Sequence, residues 1–155
     1  MATLSLGQTT QYPDQYDPSL LFPIPRAENR AKLGLKENQP LPFVGVDIWN
    51  AFELSWLNKK GKPQIALAEF QIPADSPNMI ESKSFKLYLN SLNNARFDDE
   101  SEIRELLIKD LSTVAGSKIT TRIQATEAVA KKGMQEMGGV LLDRLDIEVD
   151  PSLAA

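Results

Sequence analysis

Apolar and polar residues alternate along two stretches in the first half of the chain, residues 47–57 and residues 64–72. Alternation of this kind places one set of side chains on each face of a half-buried β-strand. The loop between the stretches, residues 58–62, is charged and contains a glycine, so the pattern predicts a β-hairpin. Pro73 ends the second strand, because proline cannot donate to a β-ladder.

Side-chain parity divides each predicted strand into two faces. In the first strand, Phe52, Leu54 and Trp56 share the face predicted to be buried, and Trp49 has the opposite parity. We therefore expect Trp56 in the core and Trp49 against the N-terminal arm or an interface. The return strand presents one apolar face, formed by Ala66, Ala68, Phe70 and Ile72.

Residues 80–91 predict an amphipathic helix around which the rest of the domain is organised. Its apolar residues recur at helical spacing, and they are Phe85, Tyr88, Leu89 and Leu92. Ser82 or Ser84 is suited to cap this helix, because a hydroxyl accepts from the N–H groups that the first turn leaves unpaired. The polar face of the helix consists of Lys83, Lys86 and Asn90. A helix N-terminus also favours anions, so we look for function on this polar face.

The second half of the chain predicts one more long helix and two more strands. Asp99 and Glu102 have capping-box spacing ahead of the helix, whose apolar stripe is Ile103, Leu106, Leu107, Leu111 and Val114. Gly116 is a natural stop for that helix. Alternation returns at residues 118–124 and 141–150, with a short helical candidate around residues 128–132.

The predicted order is strand, strand, helix, helix, strand, strand, which indicates an α+β fold. We expect one antiparallel four-stranded sheet with both helices on one face, in a module over residues 46–150. Residues 1–45 contain six prolines and predict an extended arm that packs on the domain, and residues 151–155 form a tail. The free face of the sheet is predicted to carry charges, namely Glu53, Glu69, Arg144, Asp146 and Glu148. It either faces solvent or lines a channel if several sheets close into a barrel.

Composition narrows the possible functions. The chain has 155 residues, a net charge of -4 and a pI near 4.9, so broad electrostatic capture of nucleic acid is disfavoured. It lacks cysteine, which excludes a disulfide, a thiolate metal site or a cysteine nucleophile, and it lacks histidine. The sequence shows neither a membrane span nor a signal peptide, so we expect a cytoplasmic protein.

Candidate chemistry gathers at the start of the first predicted helix. Glu81 is placed either to bind two N–H donors of a flat heterocycle or to cap its own helix. Ser82 and Lys83 are placed either to hold a phosphate or to form an ordinary solvated helix start. The residue types and spacing leave both pairs of alternatives open.

Two further clusters have competing interpretations. Arg26, Asn29 and Arg30 form either an anion or partner contact or a solvated turn. The acidic residues 98–102 resemble a loose metal cluster but lack the spacing of a calcium loop, so we expect them to cap the following helix. No metal site is predicted.

A family resemblance starts at residues 81–91, which read Glu-Ser-Lys-Ser-Phe-Lys-Leu-Tyr-Leu-Asn-Ser. This stretch resembles the signature of the QueF family, the NADPH-dependent 7-cyano-7-deazaguanine (preQ0) reductases of queuosine biosynthesis. Other stretches are similar to the longer, two-module form of the family: residues 21–26, 29–30, 52–58 and 109–112. The resemblance covers nearly the whole chain but corresponds to the N-terminal module alone.

The resemblance implies a fold and a reaction. The family has the tunnelling fold, in which ββααββ units pair through their sheets to form a barrel, in agreement with the element order above. It reduces the nitrile of preQ0 to the primary amine of preQ1 with two NADPH, through a covalent thioimide on a cysteine. By resemblance, Ile80, Glu81 and Ser82 contact the deazaguanine substrate, and Ser82 and Lys83 contact NADPH.

The same resemblance indicates what this chain lacks. In the two-module form the catalytic cysteine, the aspartate proton donor and a His–Glu substrate pair belong to the C-terminal module, so no catalytic residue is assigned here. We expect the chain to be the N-terminal module of a longer enzyme and to be inactive alone. Its expected partners are the small-molecule substrate and a C-terminal catalytic module or second subunit, in a homo-oligomer without direct nucleic-acid contact. The alternative is a non-catalytic tunnelling-fold module that serves assembly only.

Overall fold

A computed structural model of the chain describes residues 14–36, 39–130, 141 and 144–148. A 3-10 turn at Pro18–Leu20 and strand β1 (Pro23–Pro25) precede helix α1 (Arg26–Lys32). The hairpin consists of β2 (Val46–Asn58) and β3 (Pro63–Pro73), and β4 (Asn78–Ile80) leads into α2 (Ser82–Ser91). The remaining elements are β5 (Arg96–Phe97), α3 (Glu100–Ala115), β6 (Thr120–Ala125) and α4 (Thr126–Ala130).

The main sheet has four strands in the order β5-β2-β3-β6. The pairs β2–β3 and β3–β6 are antiparallel, whereas β5 runs parallel to β2, with Leu57 opposite Arg96. The α+β class is therefore confirmed, but the predicted purely antiparallel sheet is wrong. The reason is the path of the chain, because α2 carries it back across the sheet and a helical crossover permits a parallel strand.

A strand was predicted at residues 141–150, but the described residues of this segment do not form one. Leu141 and residues 144–148 are exposed and lie outside any strand, while residues 142–143 and 149–150 are outside the described residues. Alternation makes a strand only where another strand offers hydrogen bonds, and none pairs with the described part of this segment. The helical candidate at 128–132 is confirmed as far as α4 extends.

One core fills the space between the sheet and the two long helices. The inward side chains of β3 are buried as predicted, and Phe70 is fully buried. From α2, Phe85 packs its ring edge-on against Phe70 with centroids 5.1 Å apart, and Tyr88 is also fully buried. From α3 the buried residues are Ile103, Leu107, Leu111 and Ala115. The apolar stripes of both helices were thus predicted correctly.

A β-bulge interrupts β2 in its middle. Ala51 lies opposite Ala68 and Leu54 lies opposite Ala66, so three residue steps on β2 match two on β3. The extra residue reverses side-chain parity. Trp49 and Trp56 consequently both face the core, and the prediction that they lie on opposite faces is wrong. The centroid of the Trp49 ring lies 5.6 Å from that of Phe85.

The bulge also changes the environment of Phe52. Parity predicted Phe52 in the core beside Leu54, but its side chain is 71% exposed whereas Leu54 is 1% exposed. The free face of the sheet is less charged than predicted, because Arg144, Asp146 and Glu148 are not in a strand. That face includes Ile48 and Ile65, both exposed, together with Glu69, which lies opposite Arg122.

The described part of the N-terminal arm contains a short strand and a helix, which the prediction of an extended arm did not include. Pro23 and Pro25 lie in the two-stranded β1–β4 ladder, and Pro25 immediately precedes α1. Proline is tolerated at a strand edge and at a helix start, where its missing N–H is not needed. Leu21, from the same segment, joins the core and is 7% exposed.

Helix α3 is capped at both ends much as the sequence predicts. Asp99 accepts from the backbone N–H groups of Ser101 (2.8 Å) and Glu102 (3.0 Å), and Gly116 ends the helix with φ of 69°. Glu102 reaches back to the N–H of Asp98 (2.7 Å) instead of closing a strict capping box on Asp99. Hydrogen bonds from the Ser101 hydroxyl and the Glu102 N–H lower the pKa of Asp99. The capping interpretation of this acidic cluster is confirmed.

The described residues include neither a membrane-spanning helix nor a cluster of potential metal ligands. None of the described helices has the length and apolar character needed to cross a bilayer. Within the same ranges, no three His, Cys, Asp or Glu side chains lie together as potential metal ligands.

Candidate functional site

Glu81 joins β4 to α2 and is itself the N-cap of the helix. Its carboxylate accepts from the N–H groups of Lys83 (3.0 Å) and Ser84 (2.7 Å), and the residue is only 2% exposed. The predicted capping by Ser82 or Ser84 is therefore wrong, and the capping interpretation of Glu81 is confirmed.

The N-terminal arm is hydrogen-bonded to the start of α2 through Phe22. The N–H of Glu81 donates to the carbonyl of Phe22 (2.9 Å), and the N–H of Phe22 donates to Ser84 Oγ (3.0 Å). The Ser84 hydroxyl donates in turn to the Glu81 carbonyl (2.7 Å). The start of α2 is thus fixed by both the arm and its own cap.

The other three predicted site residues differ in accessibility. Ile80 is 1% exposed, lies in the core and pairs with Pro23 in the β1–β4 ladder. Ser82 is exposed at the first position of α2, and Lys83 is half-buried beside it. The structure brings Ile80, Glu81, Ser82 and Lys83 together at the junction of β4 and α2.

A cleft of about 480 Å³ lies between α2 and the bulged part of β2. Ser82, Lys86 and Asn90 line it from α2 at four-residue spacing, while Lys83 does not line it. Its apolar lining residues are Trp49, Ala51, Phe52, Phe70, Phe85 and Leu89, and its polar ones from β2 are Asn50 and Glu53. The cleft therefore combines an apolar interior with a few polar groups, as ligand sites usually do.

A larger cleft of about 750 Å³ lies beside α1, where Arg26 and Arg30 line it. The Arg26 Nε donates to Ser76 Oγ (3.1 Å), and its guanidinium pairs with Asp47. Arg30 donates to the carbonyl of Ala74. The solvated-turn interpretation is wrong, since this segment is helical and Arg26 is 8% exposed. Both guanidinium groups bind protein acceptors, and these contacts do not support the anion interpretation.

Sequence reasoning missed a three-residue cluster that ties the arm to both long helices. The hydroxyls of Tyr16 and Tyr88 each donate to the same carboxylate oxygen of Asp110, both at 2.7 Å. Burial, followed by the contact with Asp110, raises the pKa of both tyrosines. No periodicity could have found this cluster, because its members are 22 and 94 residues from Asp110.

The bulge in β2 was not predicted either, although the order of apolar residues along the strand indicates it. Trp49 and Ala51 have one parity and Leu54 and Trp56 the other, so the apolar positions of β2 change phase in mid-strand. A phase change of this kind is what one inserted residue produces.

Comparison with known proteins places this geometry in a family context. Residues 12–123 match the family model described as the N-terminal domain of nitrile reductase, 7-cyano-7-deazaguanine reductase. A Cupriavidus necator protein named NADPH-dependent 7-cyano-7-deazaguanine reductase is 57% identical over 145 residues, which are 94% of this chain and 52% of that protein. Proteins of the same name from Bordetella parapertussis and Burkholderia thailandensis are 51% and 52% identical, over 97% and 94% of this chain. The chain spans about half the length of the curated relatives that it matches.

Proposed function

The chain belongs to the QueF family of nitrile reductases, whose N-terminal domain it matches, and we propose that it supplies one half of a preQ0 reductase site. In this proposal, the junction of β4 and α2 holds the deazaguanine substrate and part of NADPH. The catalytic nucleophile comes from a C-terminal module. The observation that carries the proposal is the exposed Ser82, which follows the buried Glu81 in the chain and lines a cleft of ligand size.

The residues at this junction suit the substrate that the relatives' name specifies. A deazaguanine presents adjacent ring and exocyclic N–H donors, which a carboxylate binds in pairs. The Glu81 carboxylate is held in place by the backbone N–H groups of Lys83 and Ser84. Ser82 adds an exposed hydroxyl at the next position of the chain.

The chain's residues also fit part of NADPH. Ser82 begins a ten-residue helix, where phosphate oxygens are favoured, and Lys83 and Lys86 provide positive charge near that end. The apolar interior of the cleft suits a flat ring. When bound, NADPH supplies hydride to the nitrile carbon. The residues of this chain bind and orient the reactants and exclude water from one side of them.

Reduction of a nitrile through a thioimide requires a thiolate, and the chain has no cysteine. We therefore propose that these 155 residues do not turn over substrate alone. The tunnelling fold of the family would bring a second module against this one, with sheets pairing. The exposed apolar residues Ile48 and Ile65 on the free face of the sheet support that pairing.

A chimeric enzyme tests the proposal. In this chimera, the chain replaces the N-terminal half of the Cupriavidus necator relative. The test is to follow NADPH oxidation at 340 nm in the presence of 7-cyano-7-deazaguanine. We expect turnover by the chimera and none by either half alone. The proposal is wrong if the chimera folds and assembles but oxidises no NADPH, or if this chain alone reduces the nitrile.

Charge reversal at Lys83 separates this function from the alternative of a module that serves assembly only. In the chimera, Lys83→Glu is expected to raise the KM for NADPH at least about tenfold, because a carboxylate then repels the phosphates. Lys60→Glu, in the exposed hairpin loop, is the matched control and leaves the KM unchanged. An unaltered KM together with weaker assembly would favour the assembly-only role.

A further inference from the structure

The bulge in β2 gives Phe52 a position that its sequence pattern does not predict. Without the inserted residue, Phe52 would share the core face with Leu54 and Trp56; instead it is 71% exposed. A bulge costs free energy because it leaves one residue unpaired and disrupts the ladder locally. Placing an aromatic ring in solvent there adds a second cost, because the ring loses the free energy of burial. Bulges are over-represented beside active sites, where they redirect a side chain.

Phe52 borders the cleft that opens at Ser82. From the first turn of α2 the cleft follows the exposed residues Ser82 and Lys86 and the half-buried Asn90, and the bulge forms its other wall. Trp49 and Phe85 line its interior with rings already packed against each other, so they are committed to the core. Phe52 is the aromatic lining residue whose ring is largely in solvent.

We propose that Phe52 is a ligand-contacting residue, whose ring stacks on a flat ring of NADPH held in this cleft. The inference rests on the proposed function, which puts the cofactor at Ser82 and Lys83. From there the cleft extends along α2 with a cation on one side and the Phe52 ring on the other. The cation Lys86 lines the cleft from α2 and favours a phosphate group at that wall, while the carboxylate of Glu53 lines the cleft from β2. Every heteroaromatic ring has a π-face, so stacking requires no particular hydrogen-bonding edge.

Binding of NADPH tests the inference without using turnover. Trp49 lines the cleft and absorbs near 280 nm, so bound NADPH should quench its emission and gain fluorescence by energy transfer. In the chimera, Phe52→Ala is expected to weaken NADPH binding about tenfold, within the range measured for stacked rings. Phe52→Tyr keeps the ring and should retain wild-type affinity.

A matched control excludes a general effect of removing an exposed apolar side chain. Leu33 is 78% exposed after α1 and does not line the cleft, so Leu33→Ala should leave the affinity unchanged. The melting temperatures of the three variants should agree with the wild type, because both side chains are mainly in solvent. Competition experiments identify which ring of NADPH stacks on Phe52. Adenosine 2′,5′-bisphosphate carries the adenine ring and reduced nicotinamide mononucleotide carries the nicotinamide ring. The stacked ring belongs to the fragment that loses affinity in Phe52→Ala.

The outcomes separate this inference from the proposed function. Unchanged NADPH affinity in Phe52→Ala, in a chimera that binds NADPH, overturns the role of Phe52 and leaves the proposed function intact. Equal losses in Phe52→Ala and Leu33→Ala also overturn it, since the effect is then not local to the cleft. A wild-type chimera that neither binds NADPH nor turns over overturns both.

Discussion

Replacing Glu81 by alanine will abolish substrate binding by the chimera and will also destabilise the domain by about 1–2 kcal/mol, the usual cost of losing an N-cap. Both effects follow from one carboxylate, which accepts from the N–H groups of Lys83 and Ser84 and is proposed to bind the deazaguanine. The two effects can be separated with a second substitution. Asp is among the best N-cap residues, so Glu81→Asp should keep the cap while withdrawing the carboxylate by one methylene.

We therefore expect Glu81→Asp to unfold at the same urea concentration as wild type but to lose most of its affinity for 7-cyano-7-deazaguanine. Equilibrium unfolding measures the first quantity and calorimetric titration the second. If Glu81→Asp binds substrate as tightly as wild type, Glu81 is a structural cap and not a substrate residue. If Glu81→Ala unfolds like wild type, the capping role is wrong.

Replacing Arg26 by alanine will have the larger effect on stability, about 3 kcal/mol. Arg26 is 8% exposed and joins α1 to Asp47 of β2 and to Ser76 in the loop before β4. Removing one partner of a buried ion pair costs about 3–5 kcal/mol, and the lower end applies because Asp47 is 40% exposed and can be hydrated.

Two replacements at the same position identify the cause of that loss. Arg26→Lys keeps the charge but cannot form the fork-shaped contacts to Asp47 and Ser76 together, so we expect an intermediate loss. Arg26→Met keeps most of the apolar stem and should behave like alanine if the ion pair dominates. Denaturant unfolding gives the free energies, and hydrogen exchange at the Arg26 N–H, which donates to Pro77, shows whether the arm detaches first. A loss below about 0.5 kcal/mol in Arg26→Ala, typical of surface positions, would show that Arg26 does not fasten the arm.

The sequence predicts this fold best where one periodicity continues without interruption. Both strands of the hairpin, the buried stripes of α2 and α3 and the stop at Gly116 follow from local patterns, and the structure has them all. The failures occur where a distant segment decides the outcome. Strand β5 has two residues and pairs in parallel only because α2 returns the chain beside β2, which no local pattern encodes.

The candidate site shows the same division. Spacing alone did not decide whether Glu81 caps its helix or binds a ligand. Its proposed role in binding the substrate comes from the resemblance to the family signature. The partners of Glu81 and Ser84 across the arm could not be predicted, because Phe22 is 62 residues from Ser84 and carries no motif. The phase change at Phe52 was visible in the sequence, but reading it as a bulge requires the partner strand.

The ladder between β1 and β4 has a consequence for synthesis of the chain. Pro23 pairs with Ile80, 57 residues later, so the apolar segment around Leu21 leaves the ribosome well before its partner exists. At typical elongation rates that interval is roughly 3–11 s, far longer than local helices and hairpins need to form. The β2–β3 hairpin can therefore form first. The N-terminal segment must then remain available, without misfolding or aggregating, until the start of α2 emerges and the long loop between them closes.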